Sequence, residues 1–150
     1  MDRPVVLFLK AALVWLLAGV TLGVAMAVHP PFLAYRPAHL HLLLLGFVTG
    51  MIFGVGYHVF PRFAGYPLRH PRLMLPHWWL ANCGVAAMAG AFILRAEGVA
   101  GSPVLLGAGG TAAALGAYLF AYNIWRTLDL AAVARSARPA RGPALPLVRR

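Results

Sequence analysis

His39 and His41, two residues apart, open the second long apolar stretch of the chain. A histidine inside a bilayer-spanning helix is costly, and its presence there points to a function. The spacing adds information. A helix turns about 100° per residue, so side chains two apart point about 200° apart. The two imidazoles cannot ligate one metal while the helix stays regular. Each must serve a different cleft, one on either side of the helix. Neutral imidazole is a good axial ligand for heme iron, and heme ligation is the chemistry this pair suggests. The plainer alternative is two polar residues near a membrane interface. Gly46 and Gly50 lie seven and eleven positions after His39, which returns them to within about 20° of its face. Gly54 continues the series. Such a stripe removes side-chain volume beneath an imidazole, as a flat macrocycle requires. It reads equally as small-xxx-small packing against a neighbouring helix.

The elements that must position these residues are set by composition. The chain has 150 residues, 61% hydrophobic and only 11% charged, with a mean hydropathy of +0.77. A soluble domain carries about a quarter charged residues. The charges divide the chain into uncharged runs of 25 (11–35), 25 (37–61), 22 (73–94) and 28 residues (98–125). A bilayer-spanning helix needs about 20 apolar residues. The expected fold is therefore all-α and integral to the membrane, with four transmembrane helices in residues 1–128 and a basic, Pro/Arg-rich tail over 129–150. The predicted spans are Val5–Val28, Ala38–Phe60, Pro76–Leu94 and Pro103–Trp125. His29-Pro30-Pro31 stops the first, since consecutive prolines cannot continue a helix. Pro37 suits the first turn of the second. Arg3, Lys10 and Ala25-Met26-Ala27 also resemble a signal peptide, but the uncharged stretch is longer than a typical signal core, which favours a retained helix.

The net charge of +10 sorts by membrane side. Four spans put the N-terminus, the second loop and the C-terminus on one side with 11 of the 13 Lys and Arg. The other side holds Arg36 and Arg95. By the positive-inside rule both termini are expected in the cytoplasm, in a multi-pass protein of the cell membrane. The membrane accounts for the charge, so no nucleic-acid partner is expected. The segment from Arg135 onward is expected to be disordered and able to touch anionic lipid. Trp78, Trp79 and Trp125 fall near the cytoplasmic boundary, where aromatic belts lie. Cys83, the single cysteine, excludes an intrachain disulfide and a cysteine metal motif. Mid-span beside Asn82, it is expected to be a buried packing residue.

The run from His39 to Leu68, HLHLLLLGFVTGMIFGVGYHVFPRFAGYPL, resembles the tenth transmembrane helix of subunit I in heme–copper oxidases. The likeness is to the cbb-type oxidase and nitric oxide reductase branch. The matching positions are His39, His41, Leu45-Gly46, Phe53-Gly54, Tyr57 and Pro61-Arg62, without a gap. Arg36-Pro37-Ala38-His39 also resembles the start of that family's second helix, and His77 to Asn82 its following one. The family subunit has twelve helices in three four-helix arcs, and this chain resembles one arc. The resemblance implies that three copies rebuild the ring as a homotrimer. It implies heme b between neighbouring protomers, with His41 of one copy and His39 of the next as axial ligands. Arg36 and Arg95 are the implied partners of the propionates.

Oxygen or nitric oxide reduction in that family uses a second metal, held by a His on another helix and a His pair. This chain has no adjacent His pair. The expected function is therefore electron transfer by a membrane b-type cytochrome, with the redox partner unspecified. The rivals are a heme-free scaffold or assembly protein, a partial subunit completing an oxidase-like ring, and copper handling through His39, His41 and His29. His58 lies 17 residues beyond His41, about 25 Å along the helix, and is expected to pack at an interface. His77 is within reach of His58 at the cytoplasmic end. His29 caps the first span, and His70 is expected to be solvated in the charged loop.

Overall fold

The computed structural model describes residues 3–137. It is all-helical: α1 (Arg3–Val28), α2 (Arg36–His41), α3 (Gly50–Ala64), α4 (Met74–Ala96) and α5 (Ser102–Ser136). A 3-10 segment, Pro30–Tyr35, leads into α2, and another, Pro71–Leu73, leads into α4. Between α2 and α3, Leu42–Thr49 forms a π-helix without breaking the rod. Four helical rods are long and apolar enough to cross a membrane: Arg3–Val28, Pro30–Ala64, Pro71–Ala96 and Ser102–Ser136.

Local chemistry explains the ends. His29 is extended, with φ −127° and ψ 96°, because the residue before a proline is pushed out of the helical region. α3 continues past Pro61, where the sequence predicts its end, and closes at Gly65 in the left-handed conformation, φ 64°. There Gly65 N–H donates to Arg62 C=O and Tyr66 N–H to Pro61 C=O, both at 3.1 Å. Gly98, φ 71°, ends α4 the same way, with Val99 N–H on Leu94 C=O at 2.9 Å. These crossed bonds satisfy terminal carbonyls that a helix leaves open.

α5 runs eleven residues beyond the predicted Trp125 boundary. Its 35 residues extend about 52 Å at 1.5 Å per residue, well past a hydrocarbon core of about 30 Å. The predicted start of the tail, at 129, thus falls within this helix. Of the segment expected to be disordered from Arg135, residues 138–150 lie outside the described residues.

α4 and α5 pack backbone to backbone. A Cβ on Gly84 would sit 2.6 Å from Ala113 N and 2.8 Å from Gly109 O. α1 packs along the second rod, and two clusters fill the interior. Val5, Phe8, Phe53, Tyr57, Met74 and Ile124 form the bulky one. Ala38, Leu42, Val85 and Ala89 form a slighter one at the histidine end. The lateral surface stays apolar: Val28 is 78% exposed and Val104 77%. Cys83 is exposed, which corrects the expectation of a buried cysteine. Gly84 and Val85 turn inward, and the residue before them faces out.

Candidate functional site

α2 carries both histidines, and they reach different helices. The His39 ring lies against α1: a Cβ on Gly23 would be 2.8 Å from its Cε1. The His41 ring lies against α4, its centroid 4.7 Å from that of Phe92. Both sit in regular α-helix, just before the π-helical segment, so their opposed directions follow from 100° per residue.

Each imidazole is held by a backbone carbonyl. His39 Nδ1 lies 2.9 Å from Gly19 O, and His41 Nδ1 lies 2.8 Å from Pro37 O. A carbonyl oxygen only accepts, so Nδ1 carries the proton and donates in both rings. The lone pair then resides on Nε2. Metal-ligating histidines are oriented in this manner, with the second ring nitrogen bonded to a carbonyl or carboxylate. Neither Nε2 has a hydrogen-bond partner among the described residues.

The glycine stripe resolves toward helix packing. A Cβ on Gly46 would be 2.6 Å from Trp15, one on Gly50 3.3 Å from Ala12, and one on Gly54 2.9 Å from Leu9. Gly46 and Gly50 do share a face with His39, yet α1 of the same chain fills the volume they leave. Trp15 is fixed there by its indole N–H, which donates to Asn82 Oδ1 at 2.8 Å. Beneath His41 the surface is different. A groove of about 260 Å³ is lined by Leu45, Thr49 and Phe53 on the second rod, Val85 and Met88 on α4, and small residues of α5. Leu45 and Thr49 lie four and eight residues below His41, on its side of the helix.

Arg36 opens α2 and Arg95 lies in the last turn of α4. Both are exposed. The hydroxyl of Tyr35 donates to the Glu97 carboxylate, which ties the segment before α2 to the end of α4. The two arginines thus sit at the histidine end of the molecule.

The other histidines stay apart from this pair. His29 is exposed and meets Phe32 edge-on at 4.7 Å. His58 is half-buried, and its carbonyl accepts from Arg62 at 2.6 Å. His77 is fully buried and pairs with Tyr57 rather than His58, at 3.0 Å from Nδ1 to the hydroxyl. Phe8 and Phe53 pack on its ring, at 4.7 and 4.4 Å. His70 is half-buried, not solvated, and stacks on Tyr122.

The sequence reading missed α1 as a participant. Gly19 and Gly23 supply the acceptor for His39 and the space for its ring. The signal was present as Gly19-Val-Thr-Leu-Gly23, a small-xxx-small step. Among the described residues, no three His, Cys, Asp or Glu side chains converge to hold a metal ion. A single chain offers one free imidazole nitrogen to each side.

The family model described as Cytochrome C and Quinol oxidase polypeptide I matches residues 3–141. No curated protein and no solved structure matches the chain.

Proposed function

The chain belongs to the cytochrome c and quinol oxidase polypeptide I family, and on that premise we propose that it is a membrane b-type cytochrome whose heme sites are completed between protomers. His41 of one copy and His39 of the next would hold the heme. A homotrimer closes the ring and uses every histidine of the pair once. When bound, heme b supplies one-electron redox chemistry. Held by one imidazole from each of two copies, it would serve electron transfer rather than oxygen reduction.

One observation carries the reading. Both Nδ1 atoms are anchored to carbonyls, at 2.9 and 2.8 Å, on opposite faces of one helix. The chain presents two oriented Nε2 lone pairs that cannot meet. Pockets that enclose small organic ligands run about 300–1,000 Å³. The groove under His41, about 260 Å³, falls short of enclosing a macrocycle, as half of a shared site would. Arg36 and Arg95, at the same end, would neutralise the propionates. The two termini face the cytoplasm, in keeping with 11 of 13 basic residues on their side.

The heme-free scaffold draws on one finding. α1 packs on the glycine face through Trp15, Ala12 and Leu9, which gives these glycines a packing role that needs no cofactor. Purification from heme-replete cells separates the two. The cytochrome gives a red preparation with a Soret band and a b-type hemochrome spectrum. A folded, colourless preparation refutes it. His39→Ala and His41→Ala should each abolish the low-spin bis-imidazole spectrum, and its survival in both refutes the ligand assignment.

A further inference from the structure

The opposite end of the molecule carries a second polar construction that the histidine pair does not use. Asn123 and Thr127 on α5 are both fully buried. Burying such groups is costly unless they are hydrogen-bonded. Their partners lie in the segment between α3 and α4. Asn123 Oδ1 accepts from His70 N–H at 3.0 Å, and its Nδ2 donates to His70 C=O at 2.8 Å. Thr127 Oγ1 accepts from Arg69 N–H at 3.0 Å and donates to Asn123 C=O at 2.7 Å. The His70 ring then stacks nearly flat on Tyr122, at 5.8 Å and 13°. A connecting segment is normally the mobile part of a fold. This one is clasped in place.

The clasp shapes a pocket of about 560 Å³ between Arg69, His70, Pro71, Arg72, Leu73 and Tyr122. Its charge is wholly positive. Among the described residues the single ion pair is Arg126 with Asp129, at 3.7 Å, so neither Arg69 nor Arg72 is neutralised by a carboxylate. The pocket also has an apolar wall, from Pro71, Leu73 and the Tyr122 ring. Its depth is marked by Trp125, one turn along α5 and 71% exposed, and by Trp79, 57% exposed. Exposed tryptophans lie at the headgroup level of a bilayer. Two exposed guanidinium groups on this clasped backbone, beside an apolar wall at that level, match a phosphodiester with acyl chains below it. Basic pockets between membrane helices recognise anionic headgroups in this way.

We propose that the pocket formed by Arg69, His70, Arg72 and Tyr122 binds the headgroup of an anionic phospholipid. It requires only that the helices span the membrane and is independent of heme. The test is native mass spectrometry of the delipidated full chain, titrated with phosphatidylglycerol or phosphatidylcholine of matched acyl chains. Phosphatidylglycerol should bind tighter by about tenfold or more, and Arg69→Gln/Arg72→Gln should erase that preference. The control variant Arg3→Gln/Lys10→Gln removes as much charge from another basic groove and should keep it. Equal binding of the two lipids overturns the proposal. So does a control variant that loses the preference as fully. Displacement of the lipid by millimolar inorganic phosphate assigns the pocket to a soluble anion instead, and also overturns it.

Discussion

The orientation of an imidazole decides whether it is a ligand or a packing residue, and His39 shows how much depends on its neighbour. Its Nδ1 is held by Gly19 O, while Gly23 leaves room for Cε1. Gly23→Val would place a side chain 2.8 Å or less from that ring and turn it off the carbonyl. Loss of such an orienting partner typically weakens metal binding by about 10–100-fold. The expected outcome is a preparation that loses heme on dilution and shows a weakened low-spin spectrum. Gly107→Val is the control, because nothing lies within 4 Å of that position, and it should keep both. Unchanged heme retention in Gly23→Val refutes the orienting role of α1. His77 makes the opposite case. It is fully buried among Phe8, Phe53 and Tyr57, and composition alone does not distinguish it from a ligand. Only its neighbours do, and these three come from two other helices, α1 and α3.

At the level of elements, the rods differ in how closely they approach. α4 and α5 meet through glycines with no side chain between their backbones. Gly84→Leu must drive them apart and should cost about 3 kcal/mol or more, the upper range for overpacking. Gly90 lies on the same helix with nothing within 4 Å, and Gly90→Leu should be close to neutral. Unfolding in mixed detergent, followed by circular dichroism, measures both; equal losses would refute this packing. Asn82→Ala removes the acceptor of Trp15 Nε1 and should cost about 0.6 kcal/mol, at most about 1.7, as for other hydrogen bonds between membrane helices. Much of this level was legible in the sequence. Charge spacing located four spans, and His29-Pro30-Pro31 ended the first where it does end. Three features were not. The run Leu42–Thr49 forms a π-helix, and a leucine-rich stretch reads the same for either hydrogen-bond spacing. α5 outlasts its apolar stretch, because hydropathy marks where lipid ends and not where the helix does. Cys83 faces outward, since the weak amphipathicity of a membrane helix hides which face is inner.

For the whole molecule, the spacing of His39 and His41 made two opposed imidazoles legible, whereas the expectation that a neighbouring copy completes each site came from the family resemblance and not from the residues. Opposed histidines mean that one copy holds only half of any bis-imidazole pair. That argument gives a test independent of the colour of either variant. His39→Ala retains the His41 half, and His41→Ala retains the His39 half. Neither assembles a complete pair alone. When the two are co-expressed in equal amounts, a neighbouring pair of one kind followed by the other restores both ligands. In a closed ring with random mixing, about a quarter of the interfaces have that order. Low-spin heme should therefore return to about a quarter of the wild-type level in the mixture, while each variant alone stays near zero. Mixing the separately purified variants without exchange of protomers should restore nothing. If co-expression also restores nothing, while wild-type protein is red, the two ligands come from within one chain or from other residues. The shared-site reading then fails, even though the family and the heme remain.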